Sequence, residues 1–500
     1  MSKKWLTYFI LLFPMIFHSC YIEETVFDTD PDDALNLPVL LKLDGKMCFF
    51  DAPQNMLRYS LAEDSSDFSP FVEHNPNSLL TFNGKTLNNN KINPFGKIEI
   101  GKTYPLTIEN NGTQQQFEFV FTNLPVVQII SDSEIYDEPK TLAKIQITDT
   151  ESASTFSSFA GIERRGKFSK YFNKRSMGFA LWENMNSTSE YSAPVLGFKP
   201  NSDWILNSTV VDPSRIRNLV SLEIWNELIN WKDSGEPGYI KIHSKPTEVF
   251  LNNKLQGLYI FSERVNRELL NAGNEAVLYK AIDWADGATR FERFNPEPLN
   301  NRFWNGWEQE IPDPDATLNW KPLKNLYELT VNATNEEFSN KIYSFIDIEN
   351  FIDYYLLLNL ASAGDNTGKN IFFYKKNSSA PFQIIPWDLD GAWGIRYDGT
   401  RTGYESVLTN HLFDRLVETN PGNLKQKLKN RWFYLRENNF SEEQLIQIFA
   451  HFFSKIEESG IIIHENRIWN ENLNIENERM YIEKWIENRL IFLDNYFRQL

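Results

Sequence analysis

Apolar residues come in short alternating runs as far as Phe261 and take up helical spacing from Leu323 onward. Residues 39–43 and 47–50 are two such runs separated by Asp44-Gly45, and 104–109 and 117–121 flank Asn110-Asn111-Gly112. Period-two runs joined by Asx-Gly turns predict β-hairpins, because those residues accept the positive φ that a tight turn needs. A small β-sandwich-like domain is therefore expected over 37–124. Strand-like runs continue at 126–130, 142–148, 177–182, 249–251 and 258–261. One helix is predicted near 213–231, with Asp212 as N-cap and Pro213 at the first helical position. Later, Ile348, Phe351, Ile352, Tyr355 and Leu356 form an apolar stripe, and 424–437, 441–458 and 480–497 repeat that spacing. The expected class is α+β, with residues 125–500 forming one unit whose β-rich part precedes a helical part.

The N-terminus carries a different pattern. Lys3 and Lys4 precede the apolar run Trp5–Phe17, which ends at Ser19-Cys20. A membrane-spanning helix needs about 20 apolar residues, so residues 1–19 read as a cleaved signal peptide. A small residue directly before Cys resembles a bacterial lipoprotein lipobox, which implies lipidation of Cys20. Phe17 stands where Leu is more usual, and an ordinary signal peptide with a chance cysteine is the alternative. Residues 20–36 carry Glu23, Glu24, Asp28, Asp30, Asp32 and Asp33 with no basic residue and read as a solvated tether. Acidic residues after a lipidated Cys resemble the surface-export signal of Bacteroidetes lipoproteins; a plain acidic spacer explains them equally well. These resemblances imply a cell-envelope lipoprotein, held to the outer membrane by its lipid and exposed at the surface.

Composition narrows the function classes. The net charge of −17 disfavours nucleic acid and anionic membrane surfaces as partners. Two cysteines exclude a disulfide scaffold, and Cys48, inside Met47-Cys48-Phe49-Phe50, reads as a core residue. The six His show no HExxH spacing, and neither G-x-S-x-G nor G-x-G-x-x-G occurs, so zinc hydrolases, serine hydrolases of the elbow type and Rossmann sites lose support. Gly96–Thr103 satisfies G-x-x-x-x-G-K-[ST], but its interior alternates like a strand and Pro105 follows, so no helix can open at Lys102 to receive phosphate.

The stretch that carries chemistry is Ala363-Gly364-Asp365-Asn366-Thr367-Gly368-Lys369-Asn370, followed by the apolar runs 371–374 and 382–385 and by Pro386-Trp387-Asp388-Leu389-Asp390-Gly391. It reads as a helix end, a polar loop, a hairpin and a second polar loop. A hairpin sets its ends side by side, which would bring Asp365 and Asn370 to Asp388 and Asp390. Three carboxylates and an amide are oxygen donors suited to Mg²⁺. D-x-x-x-x-N, a hairpin and a further Asp is also the layout of the protein-kinase catalytic loop. Helix capping and turn shaping account for the same residues without chemistry.

Over residues 125–500 the sequence resembles the CotH kinase family of spore-coat-H-like atypical kinases. The matching segments, in order, are Ile162–Ser169 with Lys174-Arg175-Ser176; Trp204-Ile205-Leu206 with Asp212-Pro213-Ser214 and Arg217-Asn218; Gly257-Leu258-Tyr259 with Glu263; Asp365–Asn370; Pro386–Asp390; and Arg431-Trp432 with Leu435-Arg436. The resemblance implies an atypical protein-kinase-like two-lobe fold and transfer of phosphate from ATP, with Mg²⁺ or Mn²⁺, to a Ser/Thr hydroxyl of a surface or secreted protein. It implies Asp365 as the group that takes or orients the hydroxyl proton. It implies Asn370 and Asp388 as metal ligands, with Asp390 a second carboxylate ligand, and Lys174 and Glu263 at the nucleotide; Glu223 would pair with Lys174. The sequence departs from ordinary kinases in lacking a Gly-rich loop, a His-Arg before Asp365 and a Phe-Gly after Asp388. The competing reading is a non-catalytic surface lipoprotein that binds a protein or glycan through the same scaffold.

Overall fold

The computed structural model describes residues 40–166, 171–230, 240–296 and 301–500, so Cys20, the signal segment and the tether lie outside the described residues. The class is mixed α+β. The first strands, from Leu41–Leu43 to Thr113–Thr122, build a six-stranded sheet and a four-stranded sheet, with a further pair of short strands. They enclose a core of their own in which Cys48 is buried and Phe82, Phe95, Phe119 and Phe121 pack ring on ring. The P-loop-like pattern falls on the strands Gly96–Ile98 and Thr103–Asn110 joined by a turn at Gly101. These first sheets are sewn to the rest of the chain. Phe49, Met56, Val120 and Leu124 belong to the main core. Arg58, fully buried, forms an ion pair with Glu248 at 2.5 Å and donates to the Ser459 carbonyl.

Seven strands then close into a barrel: Val126–Ile130, Thr141–Thr148, Thr155–Arg165, Ser176–Trp182, Asp203–Asn207, Ser244–Leu251 and Lys254–Glu263. The first five neighbour one another in chain order. The last two are a hairpin whose earlier strand pairs in parallel with Val126–Ile130, leaving no open edge.

The helix expected at 213 begins at Arg217 and runs to Asn230. Pro213 instead sits in a turn in which Arg215 has a φ of 64°. The Asp212 carboxylate organises that turn. It accepts from the Ser214 amide, the Ser214 hydroxyl and the Arg217 amide, and it pairs with the Arg217 guanidinium.

A second sheet lies beyond the barrel, with Phe303–Trp304, Trp307–Ile311, Val277–Ala281, Ile371–Lys375 and Gln383–Pro386 side by side. The hairpin at 371–386 is the expected one; its neighbour Val277–Ala281 comes from some ninety residues earlier in the chain. The helix Ile348–Ala361 runs beneath it. It is buried around its whole circumference, not along one stripe, and its polar residues are matched. Asn350 exchanges hydrogen bonds with the backbone of Ile384, and Asp353 pairs with Arg431. The helices Leu424–Arg436, Glu442–Glu458, Ile461–Trp469 and Ile475–Gln499 complete the C-terminal part. Among the described residues no helix is long and apolar enough to cross a membrane.

Candidate functional site

The buried helix Ile348–Ala361 ends at Ser362 in the left-handed conformation, and Gly364–Thr367 makes one tight 3-10 turn carrying Asp365. Asn370, at φ 55°, turns the chain into the hairpin strand, and its amide bonds the Ala281 carbonyl. Ile371 pairs with Pro386 across the hairpin, so Asn370 and Trp387 leave the sheet together. Asn366 ties these ends: its buried side-chain amide donates to the carbonyls of Asn370 and Trp387 at 2.9 and 2.7 Å. The Asn370 amide group reaches the Asp388 carbonyl at 3.4 Å. Asp388, at φ 53°, turns the chain again, and the Leu389 amide is caught by the Asn218 side chain at 2.9 Å. The Arg217 guanidinium faces the Trp393 carbonyl, and the Trp393 indole donates to Ser221. The helix that starts at Arg217 therefore braces the loop bearing Asp388 and Asp390.

Electrostatics distinguish this group from a set of turn-forming residues. Burial raises the Asp365 carboxyl above its ordinary range, against the pull of Lys369, whose ammonium lies 3.6 Å away. Burial also raises Asp388, with Lys280 and Lys369 opposing the shift and Asp365 adding to it. Asp390 is raised furthest, by burial and then by the charges of Asp388 and Asp212. Asp388 and Asp390 form no ion pair among the described residues.

Two half-buried carboxylates that repel one another and lack a direct ion-pair partner are a donor set that a divalent cation would neutralise. Among the described residues no three His, Cys, Asp or Glu side chains converge on one point. A shared ion would thus draw on two carboxylates and the Asn370 amide, with Asp365 outside the shell. That count suits Mg²⁺, which takes one or two carboxylates and fills its remaining positions with water or phosphate oxygens. An open cleft of about 590 Å³ adjoins Asp365 and Gly391 and is lined further by Trp284, Arg396, Tyr397 and Glu405.

The cation acting most strongly on Asp388 is Lys280, the fourth residue of Val277–Ala281, and burial lowers its ammonium below the ordinary range. Arg165, the last residue of its barrel strand, also bears on Asp388. Its aliphatic stem lies where Gly178 lacks a side chain: a Cβ there would come within 2.6 Å of the Arg165 Cδ.

Lys174 and Glu263, expected at the nucleotide, are not among the groups that face Asp388. Lys174 is buried under the barrel, bonded to the Glu465 carboxylate and the Leu258 carbonyl, because an ammonium enclosed there needs a counter-charge. Its partner is thus Glu465 and not Glu223. Glu263 is buried at the barrel rim, where it accepts from the His243 amide at 2.8 Å and lies 2.9 Å from the His243 Nδ1.

A family model described as CotH kinase protein matches residues 162–493. The chain belongs to the CotH kinase family. The inner spore coat protein H of Bacillus subtilis (strain 168) is 21% identical over 248 residues, a stretch covering 49% of this chain and 62% of that relative. The structure gives the family's segments physical roles. Asp212, Arg217 and Asn218 support the Asp388 loop, the Arg165 charge acts on Asp388, and Gly257 leaves room for Glu465, whose carboxylate a side chain at that position would strike.

Proposed function

We propose that this CotH kinase family member is an exported phosphotransferase that moves the γ-phosphoryl group of ATP, in the presence of Mg²⁺ or Mn²⁺, to a Ser or Thr hydroxyl of a surface or secreted protein. The observation that carries the reading is the pair of half-buried carboxylates Asp388 and Asp390, without an ion-pair partner among the described residues, gathered at the hairpin ends with Asn370 and Asp365 and with Asp388 in the field of Lys280. On this reading the barrel and the helical part act as the two lobes of a kinase-like fold. Asp388, Asp390 and Asn370 hold the metal, which when bound neutralises phosphate charge. Lys280 and Arg165 supply fixed positive charge toward the phosphates, the position the sequence reading gave to Lys174. Asp365 orients the acceptor hydroxyl and takes its proton, and a carboxyl raised by burial is a better base for that purpose. The acceptor oxygen bonds to phosphorus as the bond to the bridging oxygen breaks and ADP leaves. Catalysis in such a transfer is mainly positioning and electrostatics. The lipobox-like Ser19-Cys20 and the acidic segment after it support placement as a lipid-anchored envelope protein.

The test uses labelled ATP with Mg²⁺ or Mn²⁺, calorimetric titration, and three proteins. Asp388→Ala should lose most metal-dependent nucleotide affinity. Asp365→Asn should keep that affinity and lose transfer. Equal transfer by Asp365→Asn and wild type would overturn the catalytic assignment. No nucleotide binding by wild type at millimolar concentration would favour a non-catalytic binding scaffold.

A further inference from the structure

Three of the segments that identify the family meet away from the proposed site, at one carboxylate. Glu465, in the helix Ile461–Trp469, is fully buried. One of its oxygens is bonded by Lys174 and approached by the Arg215 Nε at 3.3 Å. The other accepts the Leu258 amide at 2.9 Å. The Leu258 carbonyl accepts from Lys174, and the Tyr259 ring lies under the ammonium, 4.8 Å from centroid to Nζ. Arg215 continues to Glu471 and to the carbonyls of Thr209 and Val210. Nearby, the Trp469 indole donates to the Gln256 carbonyl at 3.0 Å. Each charge in this hub has an opposite charge, and Lys174, Glu465 and Arg215 have backbone partners as well.

The hub grips one particular part of the barrel. Lys174 stands two residues before the strand Ser176–Trp182, and Ser176 is the register partner of Arg165 at the end of the facing strand. Whatever fixes Lys174 therefore fixes the end of the sheet that carries Arg165, whose charge acts on Asp388.

We propose that Glu465 and Lys174 are positioning residues for Arg165: their bond anchors the barrel edge to the C-terminal helices and so sets the guanidinium against the Asp388 site. This rests on the phosphotransferase reading for its consequence, though not for its geometry. Lys174 touches no nucleotide; it acts through the strand that follows it.

The test uses the full chain with Lys174→Met, Glu465→Gln, the double variant, and Arg165→Met alone and combined with Lys174→Met. Hydrogen exchange is followed on Thr155–Arg165 and Ser176–Trp182, and affinity for ATP with Mg²⁺ is measured on the same samples. Glu465→Gln strands the Lys174 ammonium and Lys174→Met leaves Glu465 with Arg215 as its one cation, and each variant should speed exchange in those strands and weaken nucleotide binding, by roughly tenfold, within the range for residues sharing one ion network. The double variant strands neither Lys174 nor Glu465 and should recover much of both. In the Arg165→Met background, Lys174→Met should cost no further affinity. A double variant that regains protection but binds nucleotide as weakly as Lys174→Met would overturn the proposal and return Lys174 to the nucleotide. So would a further loss of affinity in the Arg165→Met background, or unchanged exchange in the single variants. If wild type binds no nucleotide, the phosphotransferase reading fails, and the hub is judged by exchange alone: faster in the singles and restored in the double supports it, and any other pattern removes it.

Discussion

Two ionic clusters in this molecule, one buried and one half-buried, are built to opposite rules. At Glu465 every charge is paired: Lys174 and Arg215 meet Glu465 and Glu471, and the second Glu465 oxygen takes the Leu258 amide. At the hairpin ends Asp388 raises Asp390 without a direct ion pair among the described residues, Lys280 and Lys369 offset the shift of Asp388 only in part, and both carboxyls are driven upward. Enclosing a charge costs several kcal/mol before any partner repays it, and removing one partner of a buried pair costs about 3–5 kcal/mol. A cluster that is balanced internally needs nothing else and serves the fold. A cluster left unbalanced retains a cost that the fold does not recover, and a bound cation is the natural means of recovering it. The contrast separates the two groups of family residues by role where sequence similarity treats them alike.

The largest effect should come from breaking a balanced cluster. Arg58 and Glu248 are a second instance, both fully buried, with Thr122 also donating to Glu248 at 2.7 Å. Arg58→Met should cost about 3–5 kcal/mol by leaving Glu248 alone, read as a drop in the denaturation midpoint of the metal-free protein. Pairing it with Glu248→Leu should restore much of the loss. A chain begun at residue 125 strips Arg58 away in the same manner and should melt well below the full chain. A cost under about 1 kcal/mol for Arg58→Met, the scale of an exposed pair, would show that burial does not set the value of these clusters.

The opposite sign is expected at the unbalanced cluster. Asp390→Asn removes one of two repelling charges while keeping the side chain's shape. It should stabilise the metal-free protein by roughly 0.5–2 kcal/mol, the usual gain when a functional compromise is relaxed, and abolish the rise in melting temperature on adding Mg²⁺. Destabilisation by Asp390→Asn would place Asp390 among the balanced, structural charges.

What the sequence revealed follows the range of the interactions. The hairpin at 371–386 and its polar ends were legible because alternation and turn residues are local, and they led directly to Asp365, Asn370, Asp388 and Asp390. Lys280 was not legible as a site residue. It lies in Val-Leu-Tyr-Lys-Ala, and its strand joins the hairpin by pairing with residues some ninety positions later, which no local period encodes. The available signal was a single cation inside an otherwise buried strand. Lys174 shows the same limit of local reading. A Lys in a family segment was assigned to phosphate, but its counter-charge comes from a helix 291 residues further on. The start of the 217–230 helix was misjudged because Asp212 and Pro213 look like a cap, whereas Asp212 holds a whole turn and Arg217 together.

The smallest effect, and the sharpest on the comparison, is in pH. Burial and mutual repulsion raise Asp388 and Asp390 in the folded chain above the ordinary value of 3.8 that the unfolded chain retains. The folded state therefore binds protons more readily than the unfolded one in the window above that value. Below it both states are protonated and the pair costs nothing. As pH rises through the raised folded values the cost appears, and it is complete once both carboxyls are ionised. Other carboxylates shift the opposite way, Glu99 being held down to about 2 by Lys102 and Lys97, so the raw profile of wild type mixes both signs. The difference between Asp390→Asn and wild type isolates the pair. Measured without divalent metal, the variant's advantage in melting temperature should be greatest at neutral pH and above and should shrink steadily toward the ordinary carboxylate range. With saturating Mg²⁺ the advantage at neutral pH should vanish or reverse, because the cation then does what protons do at low pH. An advantage that stays constant across pH, or persists unchanged with Mg²⁺, would mean that the two carboxylates do not share one unbalanced field, and the contrast between the clusters would lose its basis.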